Sequence, residues 1–370
     1  MKSLFALLGL GLLGCLAYLF FWPVPINPVA WQAPTPPDYT GQWEANTRLA
    51  KLDNIPLDEH AGPEDITASI IDGRLTIFTA LHDGSIMRVD PISGEITAFA
   101  NTGGRPLGLE FDAAGNLIAA DAYRGLISIS PDGTVTLLTD KTDDGSPIRF
   151  ADDLDIASDG RIFFSDASTH FGAKDSGGTL QGSLLALMEH SNDGRILVYD
   201  PKDKTTRVLI DGFTFPNGIA MCPQDRCILF VETGTYSVKR IWLQGKNAGL
   251  VETVLDNLPG FPDNLNRAPD GSFWLGLTSP RSAPLDKLSA KPFVRKIIQR
   301  LPAAMHPKAE NYGFVLNFSL DGHVLNVLQD PKGTYPLTTG AFEPDDGWLY
   351  ISSLNATRIG RLPWPKTERP

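Results

Sequence analysis

One theme keeps returning along this chain beyond residue 60: a turn, an apolar strand opened by a polar residue, an Asp-Gly or similar turn, a second strand, and a third that closes on Asp-Pro or Asp-Gly. Six such units can be followed. They open at Gly62-Pro-Glu-Asp65, Gly104-Arg-Pro-Leu-Gly-Leu109, Phe150-Ala-Asp-Asp-Leu154, Phe215-Pro-Asn-Gly218, Phe261-Pro-Asp-Asn264 and Tyr335-Pro-Leu-Thr338. A unit of three or four short strands cannot cover its own apolar faces, so it is stable only in a ring where each sheet is buried between two neighbours. The pattern predicts an all-β fold, a six-bladed β-propeller over 43–370. Because the sixth unit ends early, the segment 43–50 is predicted to supply its outer strand and close the ring.

Composition agrees with many short strands, since 35 Gly and 29 Pro stand beside 42% apolar residues, a turn-dense globular mixture. A length of 370 residues does not by itself fix the number of domains, but all-β domains of more than 200 residues are common. Two units carry insertions, 168–192 and 280–311. Within the second, Leu288, Phe293, Ile297 and Ile298 predict a short helix over 286–300. Insertions of this length serve as lids or binding loops, or simply decorate a surface.

The N-terminus is of another kind. From Leu4 to Trp22 no residue is charged, Lys2 precedes the run, and a Pro-rich linker over 23–42 follows it. A run of this length suits a transmembrane helix, giving an anchor over 1–22 that leaves the bilayer as extended chain. A cleaved signal peptide would be shorter and would close on small residues, whereas this run stays bulky through Phe20, Phe21 and Trp22. Leu12-Leu-Gly-Cys15 faintly resembles a lipoprotein cleavage box. With Lys2 on the cytoplasmic side, the positive-inside rule places the propeller on the non-cytoplasmic side.

The formal net charge of −11 repels nucleic acid phosphates and anionic lipid headgroups, and no Lys/Arg cluster is expected to offset it. Nucleic acid is therefore not an expected partner. Cys222 and Cys227 flank a Pro-Gln-Asp-Arg turn between apolar runs; they are placed either to form a disulfide in an oxidising compartment or to remain two buried thiols.

In a propeller the innermost strands line a central channel, so the polar residues that open them converge at one mouth. Here these are Glu64, Asp152 with Asp153, Asn217, and Asp263 with Asn264, drawn from different units. All are hard oxygen donors of the kind that suits Ca2+, which takes six to eight oxygens in irregular geometry, better than Zn2+, which favours His or Cys. Singly, Pro-Asn-Gly and Pro-Asp-Asn could be mere turn sequences. Recurrence at one place in the repeat favours a metal site.

Those openings, with Leu258-Pro-Gly-Phe-Pro-Asp-Asn264 and Val315-Leu-Asn-Phe-Ser-Leu-Asp-Gly322, resemble the strictosidine synthase-like family over roughly 45–364. Within it they are most similar to the adipocyte plasma membrane-associated protein branch, with gluconolactonases, regucalcin and paraoxonases as more distant kin. The resemblance implies a six-bladed propeller with a calcium ion held by Glu64, Asn217 and Asp263, with Asn264 beside them. For that branch it also implies an N-terminal anchor and esterase-like or lactonase-like activity. Three departures matter. The family's usual Asn-Asp pair is Asp152-Asp153 here, which adds a charge. The catalytic Glu of strictosidine synthases is replaced by Leu337-Thr-Thr-Gly-Ala341, so alkaloid condensation is not expected. The paraoxonase His position holds Leu107.

The expected chemistry is hydrolysis of a small-molecule ester or lactone, with the metal polarising the carbonyl while Asp152 or Asp263 orients the attacking water. No Gly-x-Ser-x-Gly elbow supports a serine nucleophile. His170, in the first insertion, is the candidate base; His60, His82, His190, His306 and His323 are expected to be solvated. The rival reading is a non-catalytic propeller that keeps the metal for stability and binds a ligand or a protein partner.

Overall fold

Alternating burial organises each repeat into four antiparallel strands. In the second unit Leu117–Asp121 is buried along its whole length while the outer Val135–Thr139 is half exposed, as expected of a sheet whose inner strands are covered on both faces. The computed structural model describes residues 2–365; Met1 and 366–370, at the outer ends of the predicted anchor and propeller, lie outside the described residues.

Six four-stranded sheets form the blades of the propeller. Their innermost strands are Ile66–Ile71, Pro106–Phe111, Ala151–Ile156, Pro216–Met221, Gly260–Arg267 and Thr338–Phe342, for blades one to six. Neighbouring blades pack through large apolar side chains: Phe78 of blade one meets Phe99 at 5.2 Å and Phe111 of blade two at 5.0 Å between ring centroids. Each such ring, fully buried, stabilises the stack by about 1.5–3 kcal/mol.

The sixth blade is closed by an N-terminal strand, but not by the expected segment. Asp53–Pro56 pairs antiparallel with Arg358–Pro363, placing buried Ile55 opposite Ile359. The segment 43–50 instead lies against the outer strand of blade five, where Gln329 donates to the Trp43 carbonyl at 3.2 Å and accepts the Leu49 N–H at its own carbonyl at 3.0 Å. Only 53–56 carries an inward apolar residue at the register the edge requires.

Five of the six inner strands break register at the same place, between 106 and 109, 151 and 154, 216 and 219, 262 and 265, and 338 and 341. These are β-bulges, which take residues out of the ladder and re-aim their side chains. The skipped pairs are Leu107-Gly108, Asp152-Asp153, Asn217-Gly218, Asp263-Asn264 and Thr339-Gly340, and Glu64-Asp65 holds the matching position just ahead of blade one's first strand.

Both insertions leave the ends of second strands, Ile162–Asp166 and Phe273–Pro280, whose pairing sets those ends beside the starts of the inner strands. They therefore stand over the channel mouth. The first carries helix α2 (Thr179–Glu189). The second carries two helices where one was expected, α3 (Ala283–Lys287) and α4 (Pro292–Gln299), because Pro292 opens a new helix. It also corrects the reading of charge, since 281–310 holds seven Lys/Arg and only two Asp/Glu. Numbering the helices from the start of the chain, α1 is the N-terminal Lys2–Phe21, which is long and apolar enough to cross a membrane.

The Pro-rich linker is extended as expected, but it is docked rather than free. Val29 N–H reaches the Glu189 carbonyl at 2.8 Å and Trp31 N–H the Ser289 carbonyl at 3.1 Å. Buried Arg295 of α4 donates to the carbonyls of Met188, Ser289 and Val29, tying α2, the second insertion and the linker into one cap. Cys222 and Cys227 form a disulfide across the turn between two strands of blade four, with 5.1 Å between Cα atoms.

Candidate functional site

The five skipped pairs and Glu64-Asp65 build two tiers. First members, Glu64, Leu107, Asp152, Asn217 and Asp263, line a pocket of about 180 Å3 at the channel mouth. Second members run Asp65, Gly108, Asp153, Gly218, Asn264 and Gly340, so that large and glycine positions alternate around the ring. The glycines are needed for space: a Cβ at Gly108 would stand 2.4 Å from Asp153 Oδ1, and one at Gly218 would stand 2.4 Å from the Asp263 carbonyl.

In the second tier the carboxylates are spent on neighbouring backbone. Asp65 accepts the Leu109 N–H of blade two at 2.9 Å, and Asp153 accepts the Ile219 N–H of blade four and the Leu154 N–H, each at 2.8 Å. Further down, Asp155 accepts Met221 N–H at 2.6 Å. Charge-assisted bonds of this kind staple one blade to the next. Asp153 is therefore a staple, and its neighbour Asp152 alone faces the mouth.

The first tier keeps part of its oxygen set unspent. Glu64 Oε2 and Asn217 Oδ1 are buried with no hydrogen-bond donor, as is Asn264 Oδ1 of the second tier. Asn217 donates to Asp263 Oδ1, and Asn264 stands behind the pocket wall and donates to the Glu64 backbone and carboxylate oxygens at 2.9 and 3.2 Å. These bonds turn both amide oxygens away from their donors' partners. Burial, then the Asp263 charge, holds Glu64 well above the usual carboxylate range. Burial, then Glu64 and Asp263, does the same to Asp152, and burial pushes Asp263 up to about 7. Three buried carboxylates that repel one another beside orphaned amide oxygens form a donor set that a hard cation would satisfy. Among the described residues no three His, Cys, Asp or Glu side chains close around a single point, so any ion would depend on the amide oxygens as well.

Two further polar groups, one beside the mouth pocket and one lining it, were not singled out from the sequence. Arg105 is buried and lines a neighbouring pocket with His82 and Tyr123; its Nη1 donates to the Pro106 carbonyl at 3.2 Å, and its Nη2 has no acceptor. Burial lowers its pKa, opposed chiefly by the Glu64 charge. The sequence places it two residues before Leu107 in a repeat opening, the one signal that could have found it. His306, expected to be solvated, lines the pocket with Nε2 at 2.9 Å from the Leu301 carbonyl. His170 does not line the pocket: its Nδ1 lies 2.8 Å from Glu189 Oε1, with about half its side chain exposed. His190 is buried, stacked on Trp31 at 4.1 Å, and pushed down to about 3 by burial and by Arg295. It holds the linker and is not a solvated group.

The rest of the pocket is apolar. Phe150, Phe215 and Phe261 form its floor beside Leu107, and Leu180, Leu184, Met188, Leu285 and Ile298 from the cap helices form its roof. Such a site favours a small molecule with an apolar body and one polar group directed at the oxygens.

Comparison with known proteins agrees with the propeller fold. The strictosidine synthase family matches 152–246, and the strictosidine synthase-like N-terminal family matches 41–89. The adipocyte plasma membrane-associated protein of Bos taurus is 32% identical over 96% of this chain and 88% of its own length, and that of Rattus norvegicus is 32% identical over 96% of each. Among solved structures, a gluconolactonase from Xanthomonas campestris superposes with a TM-score of 0.61 over 92% of this chain and 99% of its own, at 16% identity. The calcium-binding protein regucalcin from Agrobacterium tumefaciens superposes with a TM-score of 0.56 over 84% of this chain and 93% of its own, also at 16% identity.

Proposed function

We propose, from the premise that this chain belongs to the strictosidine synthase-like family and groups there with the adipocyte plasma membrane-associated proteins, that it is a membrane-tethered, metal-dependent hydrolase of small esters or lactones. The observation that carries the proposal is the oxygen set at the channel mouth: buried, unsatisfied oxygens on Glu64 and Asn217 beside Asp152 and Asp263 in the wall of an apolar pocket, with the unsatisfied Asn264 oxygen behind them. A lactonase and a calcium-binding protein among its fold neighbours lend support to both halves.

Ca2+ is the ion that suits these donors, and Glu64, Asn217 and Asp263 would hold it with Asp152 and Asn264 adjoining. When bound, it would supply Lewis-acid polarisation of a carbonyl. The chain's own groups have separate tasks. Phe150, Phe215 and Phe261 hold the apolar part of the substrate and exclude bulk water. Arg105, outside the pocket lining, offsets the buried charge of Glu64 and Asp152. Asp152 orients the attacking water, and His306, its Nε2 engaged by Leu301, offers Nδ1 as a proton acceptor. Anchoring through α1 and a disulfide in blade four support placing the propeller outside the cytoplasm.

Hydrolysis of a panel of aryl esters and lactones by the full chain, measured with and without EDTA, tests the reading. Calcium-restored turnover is expected. A protein that melts lower in EDTA but hydrolyses nothing in either state would leave the ion a structural role and defeat the enzymatic reading.

A further inference from the structure

The chain arrives at the mouth of its own pocket. The last turn of α1 is fixed by α4: Arg300, just past its end, donates to the carbonyls of Leu19 and Trp22 at 2.8 and 2.6 Å, and its own carbonyl accepts from the Tyr18 hydroxyl at 3.0 Å. Phe20 packs on Phe293 of α4, with 5.5 Å between ring centroids. The same helix reaches the pocket, because Ile298 and Gln299 are part of its wall. Ile26 of the linker is buried in one cluster with Leu107, Phe150, Phe215 and Leu285. Anchor and pocket therefore share walls.

On the cap over that opening, large apolar side chains are left without cover. Leu180 is 54% exposed and Leu184 36%, although both line the pocket; Phe293 is 49% and Met305 64% exposed. Exposed apolar groups gathered at one opening mark an interaction surface rather than ordinary scatter. The positive charge of the second insertion lies on the same cap. Lys287, Lys291 and Lys308 are exposed, and Lys296 sits at the root of the anchor, 2.9 Å from Asn27 Oδ1. Apolar side chains interleaved with lysines, on a chain whose total charge is −11, fit the headgroup boundary of a bilayer containing anionic lipid.

We infer that the mouth of the propeller rests on the bilayer that α1 enters, and that the pocket takes its ligand, an amphiphile with an apolar tail, directly from that bilayer. The surface is argued from the cap alone, whereas the nature of the ligand rests on the hydrolase reading above. The occupant is lipid because the helix tethered beside the opening is itself a bilayer segment by length and composition. A tether docked within one helix of the mouth leaves that face no room to turn away.

The test uses the full chain in nanodiscs of phosphatidylcholine, with and without phosphatidylglycerol. Spin labels are attached at Phe293→Cys, Met305→Cys or Ile92→Cys in a Cys15→Ser background. Ile92 is 93% exposed on a hairpin at the opposite end of blade one. Labels at 293 and 305 are expected to be more accessible to oxygen than to a water-soluble nickel chelate, the more so with phosphatidylglycerol, and the label at 92 the reverse. A label at 305 as aqueous as that at 92 overturns the docking surface.

For the ligand, Met305→Glu is expected to slow hydrolysis of a bilayer-dissolved dodecanoyl aryl ester about tenfold, as charge displaces apolar contact with lipid, while a water-soluble aryl acetate is turned over as before. Equal loss on both esters overturns capture from the bilayer. If neither ester is hydrolysed by the unmodified chain, the hydrolase reading and the ligand class fall together, and the label depths alone decide the surface.

Discussion

Asp152 and Asp153 are adjacent, identical in chemistry and both almost fully buried, yet they do opposite work. Asp153 spends its oxygens on the backbone N–H groups of Leu154 and Ile219 and holds blade three to blade four. Asp152 faces a pocket in company with two other carboxylates that raise its proton affinity. The same contrast separates Glu64 from Asp65. A carboxylate that accepts N–H bonds from the next blade is mortar; one left unsatisfied where others converge is a site awaiting a counter-charge. At Asp152-Asp153 a bulge one residue long makes the difference, since it points successive side chains into different tiers; Glu64 and Asp65 divide in the same way just ahead of their strand.

The contrast is broken most sharply by mutating one residue of each tier. Glu64→Gln is expected to lower metal-dependent turnover by about 100-fold or more, because it removes a charged ligand and the stabilisation of developing negative charge. In EDTA the same variant is expected to melt higher than the unmodified chain, because a repelled buried charge has gone. Asp153→Ala should do the reverse. It strands the Ile219 N–H and opens a void against Gly108, costing about 3 kcal/mol by denaturant unfolding whether or not calcium is present. Equal losses of activity and stability in both variants would erase the distinction between tiers.

A pH titration of stability sharpens it further. Groups whose folded pKa is raised stabilise the fold below their ordinary pKa, and that stability is lost as pH rises through the folded value, by at most about 1.4 kcal/mol per pH unit for each group. In EDTA, Glu64, Asp152 and Asp263 should therefore make the protein less stable as pH climbs from about 4 toward the value near 7 reached by Asp263. Calcium should remove that part of the slope by taking the place of protons. The carboxylates below the mouth should keep a slope of their own, since burial raises Asp65 and Asp155 to about 6 and holds Asp153 well above its ordinary value, and no ion is expected to reach them. Melting curves across this range, with EDTA and with calcium, separate the two contributions.

What could be read from the sequence divides along the same line. The repeat openings were legible because each blade must restart with a turn and a bulge, and those demand Pro, Gly, Asp or Asn at fixed places. Which of two adjacent acids faces the mouth was not legible, because a strict period of two fails at a bulge. The closing strand was expected ten residues early, because Trp43 is buried by packing on Phe314 and not by strand pairing. Arg105 and His306 were missed for different reasons. The arginine lay inside a recognised opening, but only the fold reveals its unpaired Nη2. The histidine lies in an insertion with no periodicity to place it.

His170 provides the smallest expected effect and the last check on where the site ends. It was the candidate base from sequence because its insertion follows the Asp166 strand end, near the mouth. In the folded chain His170 does not line the pocket and pairs instead with Glu189 at the end of α2, whose Oε2 also accepts the Asn27 N–H. With the His170 side chain about half exposed to solvent, the pair contributes no more than about 1 kcal/mol to stability. His170→Ala should therefore leave turnover within about twofold of the unmodified chain, since ΔΔG‡ for a group outside the reacting centre is close to zero. His306→Ala should reduce kcat with a loss of the lower limb of the pH profile. Should the two variants exchange these behaviours, the base lies in the first insertion and the cap must open far enough to bring His170 to the channel oxygens.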